Sequence, residues 1–193
     1  MKVLSVNRAA AREVSIDGRK VRTAIGKRPV DGPVAVRRLG LEGDEQADLS
    51  RHGGLTKAVY AYPSEHFAFW RTVRAQAKVA LWDEDVAPGL VGENLTLEGV
   101  TEAQLWIGDR LVLPSCVLAV SEPRFPCYMF NAAMGFKQAS TLMWQSGYCG
   151  SYLGVVEPGT VTAGDTFELV PGPREVSLRE LFRARAPAGT AAR

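Results

Sequence analysis

Gly108-Asp109-Arg110-Leu111-Val112-Leu113 is echoed further along the chain by Gly164-Asp165-Thr166-Phe167-Glu168-Leu169. Each is a Gly-Asp turn feeding an alternating strand, and each is soon followed by proline. A period of two in apolar side chains is the mark of a strand with one buried face. The echo is too short to be a repeat architecture. It predicts two similarly placed strands in one closed sheet. Outward from it the same signals recur. Met1–Asn7, Glu13–Ile16, Lys20–Thr23, Val34–Leu39, Ala58–Ala61, Asn94–Leu97, Val117–Val120 and Gly150–Val156 all read as strands. Asp17-Gly18 between the second and third is a two-residue hairpin turn. Helical spacing of Phe67, Trp70, Val73 or Arg74, and Ala77 predicts a helix over Glu65–Lys78, with Ser64 as its N-cap. Further helices are expected from Cys127 or Tyr128, over about Lys137–Gln145, and over Glu175–Arg185. Many short strands with close turns favour a mainly β fold, a closed antiparallel β-barrel with a few helical insertions. Residues 1–173 read as one barrel domain. Residues 174–193 read as a short helix and a frayed tail from Ala186 onward.

Composition narrows the function classes. The 193 residues are 46% apolar and 23% charged, the balance of an ordinary globular chain. The net charge is +2, and no stripe of five or more basic residues forms, which argues against a nucleic-acid surface. No apolar run reaches membrane-spanning length. Cys116, Cys127 and Cys149 make an odd number in a long chain that opens on a strand rather than a secretory signal. Free thiols in the cytoplasm are therefore expected.

Ser121-Glu122-Pro123-Arg124-Phe125-Pro126-Cys127 draws the eye next. Two prolines restrict the backbone and hold the cysteine in place. A cysteine at a helix N-terminus, with Arg124 nearby, favours thiolate, which is either a nucleophile or a soft metal ligand. The plain alternative is a buried structural cysteine, and that reading is preferred for Cys116 and Cys149, which have no charged neighbour. Arg51-His52-Gly53-Gly54-Leu55-Thr56-Lys57 gathers positive charge around two glycines that could present N–H groups to an anion. Its alternative is a tight turn with solvated basic residues. Asp44 beside Gly43, and Glu93-Asn94 beside Gly92, could bond a ligand's N–H groups or simply their own backbone. Gly26-Lys27 lacks the upstream glycine of a phosphate loop, and Arg28 stands where Ser or Thr belongs. With two histidines and no C-x-x-C pair, zinc is not expected.

These segments also occur together in a recognisable order. Gly40-Leu41-Glu42-Gly43-Asp44-Glu45-Gln46-Ala47, His52-Gly53-Gly54 through Lys57, Tyr62-Pro63-Ser64-Glu65-His66, Gly92-Glu93-Asn94-Leu95, Gly108-Asp109, Pro123-Arg124 with Pro126-Cys127, and Glu157-Pro158-Gly159 run from about Leu39 to Val170. The set resembles the MOSC-domain family, named for the C-terminal domain of molybdenum cofactor sulfurase, and within it the YiiM type. The resemblance implies a barrel with helical insertions and a cofactor of the molybdopterin type, with Cys127 as the molybdenum ligand or sulfur carrier. It implies reduction of small N-hydroxylated compounds, such as N-hydroxylated purine analogues and amidoximes. Electrons would come from a separate reductase, often a flavoprotein. Cys127 and Arg124 are the expected catalytic residues. Arg51, His52, Gly53, Gly54, Lys57, Ser121 and Arg124 are expected to take the cofactor's phosphate and polar edge, and Asp44, Glu93 and Asn94 its ring N–H groups. A monomer or homodimer is expected. The family often carries a C-terminal three-helix extension, of which only one short helix is legible here. Two other readings stay open: a carrier holding persulfide or cofactor on Cys127 without turnover, and a metal-free thiol hydrolase using Cys127 and His52.

Overall fold

The structure is a computed structural model that describes residues 1–16, 18–47 and 53–187. The chain starts with β1 (Lys2–Arg8), the hairpin β2 (Arg12–Ile16) and β3 (Arg19–Thr23), then β4 (Arg28–Pro29), β5 (Val34–Arg37) and β6 (Gly40–Leu41). β7 (Val59–Pro63) leads through a short 3-10 turn into α1 (Phe67–Gln76), and β8 (Leu95–Glu98) follows. Next come β9 (Arg110–Val112), β10 (Val117–Pro123), α2 (Tyr128–Met134) and α3 (Ala139–Ser146). β11 (Ser151–Glu157), β12 (Gly159–Val161), β13 (Glu168–Val170) and α4 (Leu178–Ala184) complete it.

Eight strands form the main sheet in the order β13-β9-β10-β11-β7-β8-β1-β4. The two echoed segments are neighbours in it, with Leu111 opposite Leu169. The expected closed antiparallel barrel is not what forms. No ladder joins the β13 edge to the β4 edge, and β7 runs parallel to β8 with Ala61 opposite Leu95. Parallel neighbours need a long crossover, and residues 64–94, including α1, provide it. The sheet curls far enough for Val3 N–H to reach the Asp165 carbonyl at 2.8 Å. That approach yields one isolated bridge, Lys2 with Thr166, rather than a strand pair. A smaller sheet, β12-β5-β6, and the separate β2–β3 ribbon lie outside the main one.

The curled sheet buries Val3, Val6, Leu95, Leu97, Leu111, Leu118 and Leu153. A second, aromatic cluster of Tyr60, Tyr62, Trp70, Phe130, Met143 and Phe182 packs the helices onto β7 and β11. Between strand and helix, Ser64 caps nothing with its side chain. The turn it opens is instead fixed from outside: the Glu65 carboxylate accepts Gly99 N–H at 2.6 Å, and His66 meets Glu102 at 2.7 Å. Ser177 does form a capping box with Glu180 at the head of α4. Among the described residues no helix is long and apolar enough to cross a membrane.

Candidate functional site

A cleft of about 930 Å³, counting its open mouth, lies between the β2–β3 ribbon and the ends of β7, β10 and β11. The cleft brings together Lys27, Asp44, Lys57, Asn94, Arg124 and Cys127, with Tyr60, Tyr128 and Tyr152 as aromatic walls.

Arg124 and Cys127 reach it because β10 runs on to Pro123, past the expected strand end at Val120. A register irregularity between Val120 and Glu122 re-aims the strand just before Arg124. Arg124 is only 5% exposed. It lies 5.2 Å from the Tyr60 ring centroid and 5.1 Å from that of Phe130, and it hydrogen-bonds the Tyr152 hydroxyl. Its Nη1 is buried and has no partner among the described residues. A buried guanidinium nitrogen left unpaired is costly, so the site is built for a further acceptor. Cys127 is the N-cap of α2, half-buried, and close enough to Arg124 for their charges to interact. The other two thiols face the core. Burial pushes Cys116 up to about 11 and Cys149 well above the ordinary thiol value, which suits structural roles.

Lys27 stands in the cleft wall although nothing in its sequence neighbourhood marked it out. Its ammonium is ion-paired with Asp44, the two side chains being 8% and 6% exposed. Burial holds the Lys27 ammonium below its usual value against the pull of Asp44 and Glu93. Asp44 is thereby occupied. Besides Lys27 it accepts Ala9 N–H at 2.9 Å and the Asn94 amide at 2.8 Å. Asn94 is equally committed: its Oδ1 accepts Tyr60 N–H at 3.0 Å and its amide also reaches the Asn7 carbonyl at 3.2 Å. Both line the cleft, but as braces rather than as free acceptors for ring N–H groups.

Glu93 points the other way. The chain places Gly92 and Asn94 on the cleft wall, with Gly92 at φ 94°, and turns Glu93 into the interior with no exposed surface. Its Oε1 accepts Gly89 N–H at 2.6 Å and the Thr96 hydroxyl at 2.9 Å, while Oε2 is buried without a partner. Burial raises its carboxyl to about 7. Stability tied to this group is full below the unfolded value near 4.5 and is lost as pH rises through about 7. Relative to Glu93→Gln, the wild type should therefore lose on the order of 2–3 kcal/mol between pH 5 and pH 8. Urea unfolding at the two pH values checks this, and parallel curves for the two proteins would refute it.

Three further expectations fail to place a residue in the cleft. Gly53 and Gly54 do not line it. Gly54 N–H donates to the Gln46 side chain at 3.3 Å, and the Gly54 carbonyl accepts Lys57 N–H at 3.1 Å, so the turn serves itself. Gln46 anchors it further through the Leu39 and Lys57 carbonyls. The Ser121 hydroxyl lies against the Thr56 and Tyr152 carbonyls, away from the cleft wall. Arg51 and His52 fall outside the described residues. Lys57 does reach the cleft, 3.6 Å from Glu122 and over the Tyr152 ring.

The residues present fit an anionic, metal-bearing cofactor. Among the described residues no group of three or more His, Cys, Asp or Glu gathers to hold a metal alone. A metal that arrives in its own chelate needs only one soft protein ligand, and Cys127 stands beside a buried guanidinium whose Nη1 has no partner among the described residues.

Comparison with known proteins places the chain among relatives. The MOSC domain family model matches residues 48–168. Protein YiiM of Escherichia coli (strain K12) is 38% identical over 159 residues, covering 82% of this chain and 68% of that protein. A protein named Reductase from Gibberella moniliformis is 33% identical over 173 residues, covering 87% of this chain but 30% of that longer protein. The crystal structure of YiiM from Geobacillus stearothermophilus superposes with a TM-score of 0.74 at 29% identity, covering 98% of this chain and 87% of that one.

Proposed function

The chain belongs to the MOSC domain family, and from that premise we propose that it is a molybdenum-cofactor-dependent reductase of N-hydroxylated compounds. A molybdenum-cofactor-related function is what the family and the reductase relative support. The observation that carries the reading is the pairing of Cys127 with the buried, unpartnered Nη1 of Arg124 in one cleft. When bound, the cofactor supplies the two-electron oxygen chemistry. Cys127 Sγ would be the protein ligand to the metal. Arg124 Nη1, with Lys27 and Lys57 Nζ, would receive the cofactor's phosphate or other anionic oxygens. Tyr128, largely exposed beside Cys127, offers a face for a planar substrate.

The overall change, R–NH–OH plus two electrons and two protons to R–NH2 and water, breaks one N–O bond and consumes two protons. Lys27 Nζ is the proton-bearing atom in the wall whose acidity burial increases. The β2–β3 ribbon, through Val21 and Thr23, and Ile25 just after it wall the cleft on one side. A separate reductase, of flavoprotein type, supplies the electrons.

The test is turnover. Protein loaded with cofactor and given an artificial reductant should convert an N-hydroxylated purine to the amine, one product per two electrons. No conversion despite a bound, reducible metal would overturn the reductase reading in favour of a carrier that holds cofactor or sulfur on Cys127.

A further inference from the structure

Two buried polar atoms without partners lie beneath this cleft, and they are of opposite kinds. One is Arg124 Nη1, a cationic donor; the other is Glu93 Oε2, an acidic oxygen. The groups feel each other's charge, and Lys27 feels Glu93 as well. Arg124 and Lys27 line the cleft, whereas Glu93 lies behind it. Glu93 is faced by Gly89 N–H from the preceding turn, Thr96 from β8, Tyr60 from β7, Lys27 from the segment after β3 and Arg124 from the end of β10. Of the charged groups among these, Asp44 already neutralises Lys27 at close range. Among the described residues Arg124 has no carboxylate in its hydrogen-bonding shell, but the Tyr152 hydroxyl and two aromatic faces.

We propose that Arg124 and Lys27 form an oxyanion subsite at the cleft floor and that Glu93 is its proton-linked partner, so that binding an oxyanion and protonating Glu93 are one coupled event. The logic is competition for the same positive charge. An ionised Glu93 would satisfy part of the field of Arg124 and Lys27 from behind. An oxyanion arriving from the cleft satisfies it from the front. With Asp44 already on Lys27, an ionised Glu93 and a bound oxyanion together would set three negative groups around two buried cations, so the bound anion drives a proton onto Glu93 Oε2. The proton comes from solvent, and no bond other than O–H forms. A neutral Glu93 also gives its second oxygen a donor to spend, which an ionised one lacks. The subsite stands on its own geometry. The cofactor reading adds only that a phosphate would fill it, and metal content tests that reading separately.

The experiment titrates the full-length, metal-free chain with inorganic sulfate, which does not itself titrate near neutrality. Calorimetry is run at pH 6, 7 and 8 in two buffers of different ionisation enthalpy. Wild-type protein should bind sulfate more weakly at pH 8 than at pH 6 by up to about tenfold, with proton uptake visible as a buffer-dependent heat. Glu93→Gln keeps the Oε1 acceptor and the shape. It should bind at pH 8 as wild type does at pH 6, with no proton uptake. Arg124→Ala should abolish binding at every pH. Equal pH dependence in wild type and Glu93→Gln would overturn the proposal. So would sulfate binding that survives Arg124→Ala, or no sulfate binding by folded wild type. If either variant fails to fold by circular dichroism, the buffer-dependent heat of the wild type decides alone, and its absence is fatal.

Discussion

Cys127→Ala, expressed in a host that makes the cofactor, is expected to purify without molybdenum, while wild type from the same host carries it. Loss of an outer partner of a metal ligand typically costs roughly 10–100-fold in affinity. Removal of the ligand itself should cost more, so metal per chain should fall to background by elemental analysis. The fold should survive the change. Cys127 is half-buried at the head of a short helix and makes no side-chain cap bond, so truncation leaves neither a large cavity nor an orphaned group. Far-UV circular dichroism provides that control. Cys116→Ala and Cys149→Ala sharpen the test. Both thiols lie in the core, so these variants should lose stability but keep the metal. Equal metal in wild type and Cys127→Ala would remove the thiol from the metal shell and, with it, the reductase mechanism as drawn.

That Cys127 differs from its two companions is legible in the sequence alone. The prolines at 123 and 126 and the neighbouring Arg124 marked one rigid loop, and the ordered motifs joined it to a family. What the sequence could not display was which distant segments share a wall. Lys27 lies seventeen residues from its partner Asp44, after the turn at Gly26, and its local sequence offers only an incomplete phosphate loop. Its importance arises from burial, which no local pattern encodes. Conversely, Gly53-Gly54 had the composition of an anion cradle. Gln46, seven and eight residues upstream, takes the Gly54 N–H, and the cradle is spent on holding its own loop. Glu93 shows a third kind of difference. A motif of alternating chain direction puts one of two adjacent polar residues on the wall and the other inside. Which is which depends on the register of β8 against β7 and β1.

The same physics explains the open sheet. Strand character over each segment follows from alternation, and the echoed pair does sit side by side through Leu111 and Leu169. Closure depends on the pairing partners of the edge strands, which are set by contacts far apart in sequence. The parallel join of β7 to β8 was hidden because a buried five-residue run such as Val59–Pro63 reads the same in either direction.

Asp44→Ala is expected to be the most destabilising single change at the cleft, by about 3–5 kcal/mol, because it breaks a buried pair from one side. Asp44 ends three interactions at once: the Lys27 ammonium, Ala9 N–H and the Asn94 amide. Its loss leaves Lys27 inside without a counter-charge, and burial already holds that ammonium below its usual value. Asn94 then loses one acceptor while still holding Tyr60 of β7 and Asn7 of β1. The damage therefore spreads to the join of three strands rather than staying at the rim. Asp44→Asn separates charge from shape. It keeps one oxygen for Ala9 but sets an amide N–H2 against that of Asn94, whose own oxygen is tied to Tyr60. Urea unfolding should rank wild type above Asp44→Asn, and Asp44→Asn above Asp44→Ala. In the double variant with Lys27→Met, the second change should cost less than it does alone, because no uncompensated charge remains. An Asp44→Ala midpoint within about 1 kcal/mol of wild type would place the pair with exposed ion pairs, whose worth is that small. It would also take Lys27 out of the buried wall on which the oxyanion subsite depends.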